Sequence, residues 1–484
     1  MRVLMVASEC VPLVKTGGLA DMVGGLSRAL AGLGCDVRVV MPNYPGVTER
    51  VHDIKQIARY DDLFGGPATL STAEADNGQV FGLLDAPHLF ARPGNPYLGP
   101  DGKDYADNHL RFAALCRVAA RLVVDQPDGW SVDVVHGHDW QAGLTSAYLS
   151  LGDAGLPPRV FTIHNIAFAG LFPAGELTRL GLPASLFHPE GLEFYGQVSF
   201  LKAGLVFSDR LTTVSPTYAR QLQSAELGMG FEGVLMARRN RLSGILNGID
   251  ESIWDPQTDP QISDTYQPRS LEGKRANRVA LQSAMNLDPN ATSLLFVVVS
   301  RLTDQKGLDL LAAALPGLVA QGGQLALLGS GSAELESLFK RAATDNPGQV
   351  AVRMGYDEPL SHLLIAGGDA ILVPSRFEPC GLTQLYGLRY GTIPIVARTG
   401  GLGDSVIDAN EAALAVGAAT GVLFEPDDLT ELERGIARTF ELFSDRKAWN
   451  SLIQAAMRQP VGWEHSAGAY KHVYELARGD RLGR

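Results

Sequence analysis

The sequence predicts an α/β protein made of two Rossmann-like domains in tandem. Short apolar or β-branched runs alternate with stretches of helical period throughout the chain, and this alternation is typical of parallel sheets covered by helices on both faces. The pattern begins again near residue 294, and 484 residues exceed what one hydrophobic core usually supports. We therefore expect two domains, each with its own core.

Runs of strand length are predicted to form the two sheets. In the first half they cover residues 3–7, 36–41, 132–136, 159–164, 210–214 and 243–246. In the second half they cover residues 294–300, 324–328, 350–354, 370–374 and 393–397. The stretch 51–100, rich in glycine and proline, is predicted to form hairpins or loop. Amphipathic helices are expected at 427–457 and 466–476, and turn residues from Asn247 to Asp250 indicate a hinge between the halves.

A lysine-glycine turn follows the first predicted strand and leads into an amphipathic helix. In the run from Lys15 to Leu26, Gly17 and Gly18 allow the backbone to take positive φ and to approach a ligand closely. Free amides at the start of the helix favour an anion, and Lys15 adds a full positive charge. The run predicts an anion site; the alternative is an ordinary α/β junction.

The first strand of the second half leads into a basic loop. Arg301 and Lys306 lie five residues apart at the carboxyl end of that strand, where ligands bind in open α/β sheets. A planar guanidinium and a compact ammonium could together hold a diphosphate. The alternative is a solvated basic loop with no ligand.

A second turn combines a carboxylate with the start of a helix. Glu378 precedes a proline and is expected to be extended, while Gly381, Leu382 and Thr383 are expected to present free backbone amides to an anion. Beside such amides a carboxylate suits the hydroxyl groups of a sugar; the alternative is an acidic residue favoured only by the helix dipole. Cys380 is interpreted as a packing residue because no activating group is near it in sequence.

Two predicted strand ends in the first half carry histidines. His136 and His138 lie two residues apart beside a single carboxylate, Asp139, and no further protein ligand follows at zinc-site spacing, so no metal site is predicted there. His164 and Asn165 are interpreted as a polar pair that faces the cleft between the domains. The alternative for His164 is a structural histidine with satisfied hydrogen bonds.

Composition and charge exclude several classes of partner. The chain has 41 basic and 53 acidic residues, a net charge of -12, and its basic residues are scattered, so nucleic acid is not expected. Four widely spaced cysteines favour a reducing cytoplasm, and we expect neither a leader nor a membrane span. The run from Gly329 to Gly331 has Glu334 where a dinucleotide fingerprint has its third glycine, so a nicotinamide site is disfavoured. No cofactor is predicted for the chain.

Taken together, the motifs resemble those of bacterial glycogen synthases and plant starch synthases that use ADP-glucose. The similarity spans nearly the whole chain and rests on residues 15–26, 136–141, 162–165, 202–204, 213–216, 247–250, 300–307 and 378–384. The resemblance implies the GT-B fold, with a deep cleft between an acceptor-side domain, residues 1–246, and a nucleotide-sugar-binding domain, residues 247–460. It also implies that the terminal segment, residues 461–484, crosses back to the first domain as a helix.

The resemblance implies a role for each matched residue. Arg301 and Lys306 would stabilise the donor diphosphate. Glu378 would hold sugar hydroxyls and His164 would orient the glucose, which completes the expected catalytic set. The expected substrate-binding residues are Lys15, Gly17, Gly18, Asp21, Asp139, Asn165, Asn247, Tyr356, Cys380, Gly381, Leu382 and Thr383, with Tyr356 near the adenine. No metal ion is implied.

The implied reaction transfers glucose from ADP-glucose to the non-reducing end of an α-1,4-glucan, such as glycogen, with retention of the anomeric configuration. Its main demand on the protein is to neutralise the charge of the departing diphosphate. Same-face attack and a covalent intermediate both remain open as routes to retention. The alternatives are a transferase with another donor, such as UDP-glucose, and a sugar-nucleotide or glucan-binding protein without transfer activity.

Overall fold

Two α/β units are formed by the residues that the computed structural model describes, which are 1–152, 155–289 and 292–482. The amino-terminal unit contains Met1–Asn247 and the segment from Trp463 onward. The carboxyl-terminal unit contains Gly248–Gly462. Each unit has a largely parallel sheet with its own hydrophobic core, so the predicted fold class is confirmed.

The amino-terminal unit is built on a sheet that is parallel except at one edge. Its strands are β1 (Arg2–Val6), β2 (Asp36–Pro42), β3 (His52–Tyr60), β4 (Ala68–Glu74), β5 (Val80–Asp85), β6 (Val134–His138), β7 (Arg159–Ile163), β8 (Leu171–Pro173), β9 (Glu193–Phe194), β10 (Gln197–Ser199), β11 (Arg210–Thr213) and β12 (Leu242–Gly244). The large sheet has the order β12-β11-β7-β6-β1-β2-β5-β4-β3, and β8, β10 and β9 form a small antiparallel sheet.

The order of the large sheet creates a crevice beside β1. The chain runs from β1 to β2 on one side and later adds β6 on the other, both parallel to β1. Such a change of direction is the topological switch point at which open α/β sheets bind ligands, at the carboxyl ends of the strands. The loops that follow β1, β6 and β7 are therefore the expected ligand-binding loops of this unit.

The helices of this part of the chain are α1 (Gly18–Gly32), α2 (Pro87–Phe90), α3 (Asn108–Asp125), α4 (Asp139–Ser150), α5 (Phe200–Phe207), α6 (Pro216–Gln221) and α7 (Glu232–Ala237). The predicted apolar stripe of α1 is buried through Val23, Leu26 and Leu30. The stretch predicted as hairpins or loop contains β3, β4 and β5, of which β5 pairs in parallel with β2. Strand β6 lies two residues later than predicted, which makes His138 its last residue.

The carboxyl-terminal unit repeats the same architecture with a six-stranded parallel sheet over the described residues. Its strands are β13 (Leu295–Val299), β14 (Gln324–Gly329), β15 (Val350–Met354), β16 (Ala370–Val373), β17 (Ile393–Ala397) and β18 (Val422–Phe424). The order is β15-β14-β13-β16-β17-β18, so the switch point lies between β13 and β16. Strand β18 was missed because it is only three residues long.

The helices of the carboxyl-terminal unit are α8 (Glu272–Ala284), α9 (Leu308–Ala320), α10 (Ala333–Asp345), α11 (Glu358–Gly367), α12 (Thr383–Tyr390), α13 (Gly400–Ser405), α14 (Glu411–Ala415), α15 (Leu429–Ser444) and α16 (Arg446–Met457). The single helix predicted at 427–457 is two helices. The break occurs at Asp445, whose side chain accepts hydrogen bonds from the amides of Lys447 and Ala448 and so starts a new helix.

The last helix, α17 (Trp463–Leu482), belongs to the amino-terminal unit. Tyr470 and Tyr474 are part of that unit's core. Trp463 lies directly over Gly25 of α1, where a Cβ atom would clash with the indole. Across the described ranges, every helix is too short or too polar to cross a membrane.

Candidate active site

The structure places the predicted site residues in two groups, one in each unit, at the carboxyl ends of strands of the large parallel sheets. In the amino-terminal unit, the Lys15 loop follows β1, Asp139 follows β6, and His164 and Asn165 follow β7. In the carboxyl-terminal unit, Arg301 and Lys306 follow β13, and Glu378 follows β16. In no part of the chain that the structure describes do three or more His, Cys, Asp or Glu side chains form a group that could hold a metal ion.

Lys15 is engaged with the first turn of α1. Its Nζ lies 2.8 Å from Oδ1 of Asp21, and both side chains are partly exposed. Neither Gly17 nor Gly18 adopts the positive φ that a glycine permits: α1 begins at Gly18, and Gly17, its N-cap, is extended with φ of -165°. Gly17 supplies no side-chain cap, and a Cβ atom there would meet no other atom within 4 Å. The first amides of α1 therefore remain donors for an anion.

Glu9 holds the Lys15 loop in place. Its Oε2 accepts hydrogen bonds from the backbone amide (2.5 Å) and hydroxyl (2.8 Å) of Thr16, and its Oε1 accepts one from Tyr97 (2.8 Å). Burial raises the pKa of Glu9, and these hydrogen bonds oppose the rise. Sequence reasoning missed both Glu9 and Tyr97. The position of Glu9 just after β1 was the available signal, whereas Tyr97 lies in the stretch 51–100, which carried none.

Asp139 organises the loop after β7. Its Oδ1 accepts hydrogen bonds from the backbone amides of His164 (2.7 Å) and Asn165 (3.4 Å). The residue starts α4 with a positive φ of 56°, a conformation that is uncommon outside glycine and is frequent at functional sites. Burial raises the pKa of Asp139 to about 7, against the lowering effect of the two amides.

Three histidines form a cluster at this loop, in which His136 and His138 are buried and His164 is partly exposed. His164 Nε2 lies 3.2 Å from His138 Nδ1, and the rings of His138 and His136 are 4.0 Å apart. His136 is hydrogen-bonded on one side to the Tyr474 hydroxyl (2.8 Å) and on the other to Thr162 (2.6 Å). Burial lowers the pKa of His136 and of His164 to about 3 and that of His138 well below its ordinary value. All three imidazoles are therefore neutral at physiological pH.

Asn247 lies at the end of the first stretch of the amino-terminal unit. It is buried, and its Oδ1 has no hydrogen-bond partner among the described residues. A buried acceptor without a partner carries a free-energy cost that a ligand hydroxyl could remove. This observation favours the predicted role of Asn247 as a sugar contact.

The two central groups of the carboxyl-terminal site are in direct contact. Lys306 Nζ lies 2.5 Å from Glu378 Oε2, which also accepts a hydrogen bond from the Ser375 hydroxyl (2.9 Å). Glu378 is buried and Lys306 is nearly so. The turn that carries Lys306 and the loop that carries Glu378 follow β13 and β16, which pair in parallel. Adjacent strands thus explain why residues 72 positions apart meet.

The loop after Glu378 shows why glycine is needed in it. Gly381 has a φ of 73°, and a Cβ atom there would clash with Gln384. The backbone of Gly400 and Gly401 packs so closely on the carbonyls of Glu378 and Cys380 that neither has room for a side chain. Glycines from a neighbouring loop therefore fix the shape of the Glu378 loop.

The start of α12 offers a further set of donors. Leu382, its N-cap residue, provides no side-chain cap, so the first amides of the helix are available to an anion. Leu382 and Thr383 are partly exposed, whereas Cys380 is buried, as its interpretation as a packing residue requires.

Two predicted residues of this unit lie at its surface. Arg301 is exposed and makes no ion pair within the described residues. Tyr356 is 78 % exposed and donates a hydrogen bond from its hydroxyl to Glu358 (2.9 Å). Both follow strands of the same sheet, β13 and β15, and both side chains are accessible to a ligand.

Two Rossmann-like units in tandem, with polar side chains at the carboxyl ends of their strands, have the architecture of the GT-B fold, which by itself does not fix a function. Comparisons with known proteins narrow this class. The family described as starch synthase catalytic domain matches residues 2–237, and glycosyl transferases group 1 matches residues 284–457. A sucrose-phosphate synthase structure from Thermosynechococcus elongatus, 18% identical with a TM-score of 0.60 over 98% of both chains, shares the fold.

Closer similarities identify the family. The chain is 54% identical to a glycogen synthase from Roseobacter denitrificans over 99% of this chain and 100% of the relative. It is 53% identical to a glycogen synthase from Paracoccus denitrificans over 98% and 99% of the two chains. The catalytic domain of starch synthase IV from Arabidopsis thaliana, solved with ADP and acarbose, is 31% identical with a TM-score of 0.90 over 99% of both chains.

The chain belongs to the glycogen synthase family. It is accordingly a glucosyltransferase, and the alternative of a binding protein without transfer activity is not supported.

Proposed function

We propose that this chain transfers glucose from ADP-glucose to the non-reducing end of an α-1,4-glucan with retention of configuration, in the cytoplasm and without a metal ion. The contact between Lys306 and Glu378 at the second switch point carries the proposal. Together with the uncapped start of α12, it gives one site a cation, a carboxylate and free amides. A sugar joined to a diphosphate needs each of these three kinds of partner.

The donor side of the reaction follows from charge. Cleavage of the bond between the anomeric carbon and the diphosphate leaves negative charge on the diphosphate oxygens. In our assignment Lys306 and Arg301 stabilise this charge, helped by the amides of Leu382 and Thr383. Glu378 accepts hydrogen bonds from the sugar hydroxyls, and Tyr356 lies near the adenine. The starch synthase solved with ADP supports an ADP-based donor.

The amino-terminal unit supplies groups that suit an uncharged sugar. In our assignment the neutral imidazole of His164 and the polar side chains of Asn165 and Asn247 contact the glucose. Asp139 holds the His164 loop through backbone amides, in addition to its predicted sugar contact. In the same assignment the Lys15 ammonium and the backbone amide of Gly18 donate to the phosphates, while Gly17 leaves room for the ligand and the Asp21 carboxylate holds Lys15.

The direct test is incorporation of labelled glucose into glycogen. Purified protein with a metal chelator present is expected to transfer glucose from ADP-glucose at a higher kcat/KM than from UDP-glucose. An α-1,4-specific glucan hydrolase is expected to release the label, since retention gives an α linkage. Labelling with UDP-glucose alone would contradict the proposed donor. No labelling from any donor with any primer would contradict the proposed reaction.

A further inference from the structure

We propose that Arg376 is a positioning residue that fixes the turn carrying Lys306 against the loop carrying Glu378. Nothing in the sequence motifs assigned it a role. The inference deepens the proposed function and rests on it, because its consequence is the placement of two groups that we assign to the donor. Arg376 lies two residues before Glu378, and its contacts reach the turn that carries Lys306.

The guanidinium of Arg376 joins three separate segments. Two parallel hydrogen bonds of 2.7 Å reach Asp309, in the first turn of α9: Nη1 donates to Oδ1 and Nη2 donates to Oδ2. Nη1 also donates to the backbone carbonyl of Asp304 (2.7 Å), and Nε donates to Asp427 (2.6 Å). A planar guanidinium can satisfy this arrangement and an ammonium cannot, because the paired bonds to Asp309 need its fork.

Further contacts join the turn that carries Lys306 to the loop that carries Glu378. The Arg376 amide donates to the carbonyl of Gln305 (2.9 Å), and Gln305 Nε2 donates to the carbonyl of Phe377 (3.3 Å). Gly307, with a φ of 62°, packs on the carbonyl of Pro374 so closely that a Cβ atom would clash with it. The contacts therefore involve residues on both sides of Lys306 and on the amino-terminal side of Glu378.

These contacts assign Arg376 to positioning rather than to substrate binding. Its four hydrogen bonds go to protein oxygens and use most of the five donors of a guanidinium. The distance between Lys306 Nζ and Glu378 Oε2 depends on how the two segments lie against each other. A displacement of about 1 Å in such a group can lower a rate by about 100-fold, so loss of Arg376 is expected to act through Lys306 and Glu378.

The test compares Arg376→Met with Arg398→Met. Arg398 is a matched control because it lies in the same unit, is half-exposed and pairs with one carboxylate, Glu425 (3.0 Å). At a temperature where both variants are fully folded, we expect Arg376→Met to lower kcat by roughly 10- to 100-fold and Arg398→Met to leave it within about twofold. The KM for glycogen is expected to stay unchanged in both. An unchanged kcat in Arg376→Met would overturn the inference.

A second readout separates positioning from a general loss of stability. If Arg376 acts through Lys306, Arg376→Met is expected to lower the residual rate of a Lys306→Met enzyme by less than about threefold, because coupled residues are not additive. An equal factor in both backgrounds would overturn the inference. Should Arg376→Met fail to fold, Arg376→Lys and Asp309→Asn are subjected to the same cycle.

The wild-type rate with ADP-glucose is measured first, so that a failure of the proposed function can be distinguished from a failure of the inference about Arg376. Absence of transfer by the wild-type chain would overturn the proposed function and this inference with it. Transfer by the wild-type chain together with unchanged or additive Arg376 variants would overturn this inference alone.

Discussion

The loop that carries His164 and the contact between Lys306 and Glu378 differ in how they hold their polar groups. In the amino-terminal unit, burial holds the pKa of His164 at about 3 and raises that of Asp139 to about 7, so the neutral forms are favoured. In the carboxyl-terminal unit, Lys306 and Glu378 meet as an ion pair. The difference agrees with the proposed function, in which the neutral, hydrogen-bonding groups contact the sugar and the charged pair faces the diphosphate.

The largest expected effect removes the cation of the charged centre. Lys306→Met is expected to lower kcat by roughly 100- to 1,000-fold, because a preorganised charge no longer stabilises the leaving group. Glycogen labelling from ADP-glucose measures the rate. Lys340→Met, which removes an exposed lysine paired with Glu336 on α10, is the control and should keep the wild-type rate. A decrease in kcat of less than about tenfold in Lys306→Met would contradict the view that a charged group dominates the carboxyl-terminal site.

The next effect concerns Asp139 in the amino-terminal site and the pH dependence of the unfolding free energy. The pKa of Asp139 is raised from 3.8 to about 7 in the folded chain. Between these values the folded chain binds the proton and the unfolded chain does not, so Asp139 makes the fold less stable as pH rises from about 4 to about 7. Asp139→Asn cannot ionise and should remove this slope.

Denaturant unfolding at pH values from 4 to 8 measures the slope. Relative to the wild type, Asp139→Asn is expected to gain on the order of 3 kcal/mol of unfolding free energy across this range. Its amide oxygen can still accept from the backbone amides of His164 and Asn165, so the loop is preserved. Parallel curves for the variant and the wild type would contradict a desolvated carboxyl at this position.

A variant with a smaller expected effect tests the cluster of His136, His138 and His164. Tyr474→Phe removes the hydroxyl that bonds His136 and leaves a buried ring nitrogen without that partner. The unfolding free energy is expected to fall by about 1–3 kcal/mol, while kcat changes by less than about twofold. Tyr195→Phe, at a position 78 % exposed, is the control and should change neither quantity. An unaltered stability in Tyr474→Phe would show that the cluster is looser than its contacts indicate.

The smallest effect is expected at the exposed pair of the amino-terminal site. Asp21→Asn opens the contact with Lys15 and is expected to change the unfolding free energy by less than about 1 kcal/mol, since partly exposed ion pairs contribute little. The change should shrink further at high salt. Thermal unfolding at two salt concentrations measures it. A larger decrease in the unfolding free energy that does not depend on salt would show that Lys15 and Asp21 interact as strongly as a buried pair such as Lys306 and Glu378.

Sequence patterns predicted where the strands end, but they did not predict which strands are neighbours or which side chains at their ends are in contact. The apolar run before Arg301 and the turn around Glu378 were both found, because strand ends and glycine turns are local signals. That β13 and β16 are neighbours is a property of the whole sheet. The contact between Lys306 and Glu378 therefore required the structure.

The missed and corrected features have the same origin. Glu9 was not singled out because its partner Tyr97 lies 88 residues away, in a stretch without a periodic pattern. Gly17 does not use the positive φ that glycine permits, because the helix starts immediately after it and an N-cap residue is extended. Glycine composition predicts that a turn is permitted, and the neighbouring elements decide its shape.

The position of α17 has a consequence for biosynthesis. Tyr470 and Tyr474 complete the core of the amino-terminal unit, although every residue of the other unit precedes them on the ribosome. The unit whose translation begins first is thus the last to receive all of its core side chains. A premature stop codon within the 20 residues of α17 would therefore remove core side chains from the amino-terminal unit. The same stop codon would leave every residue of the carboxyl-terminal unit in place.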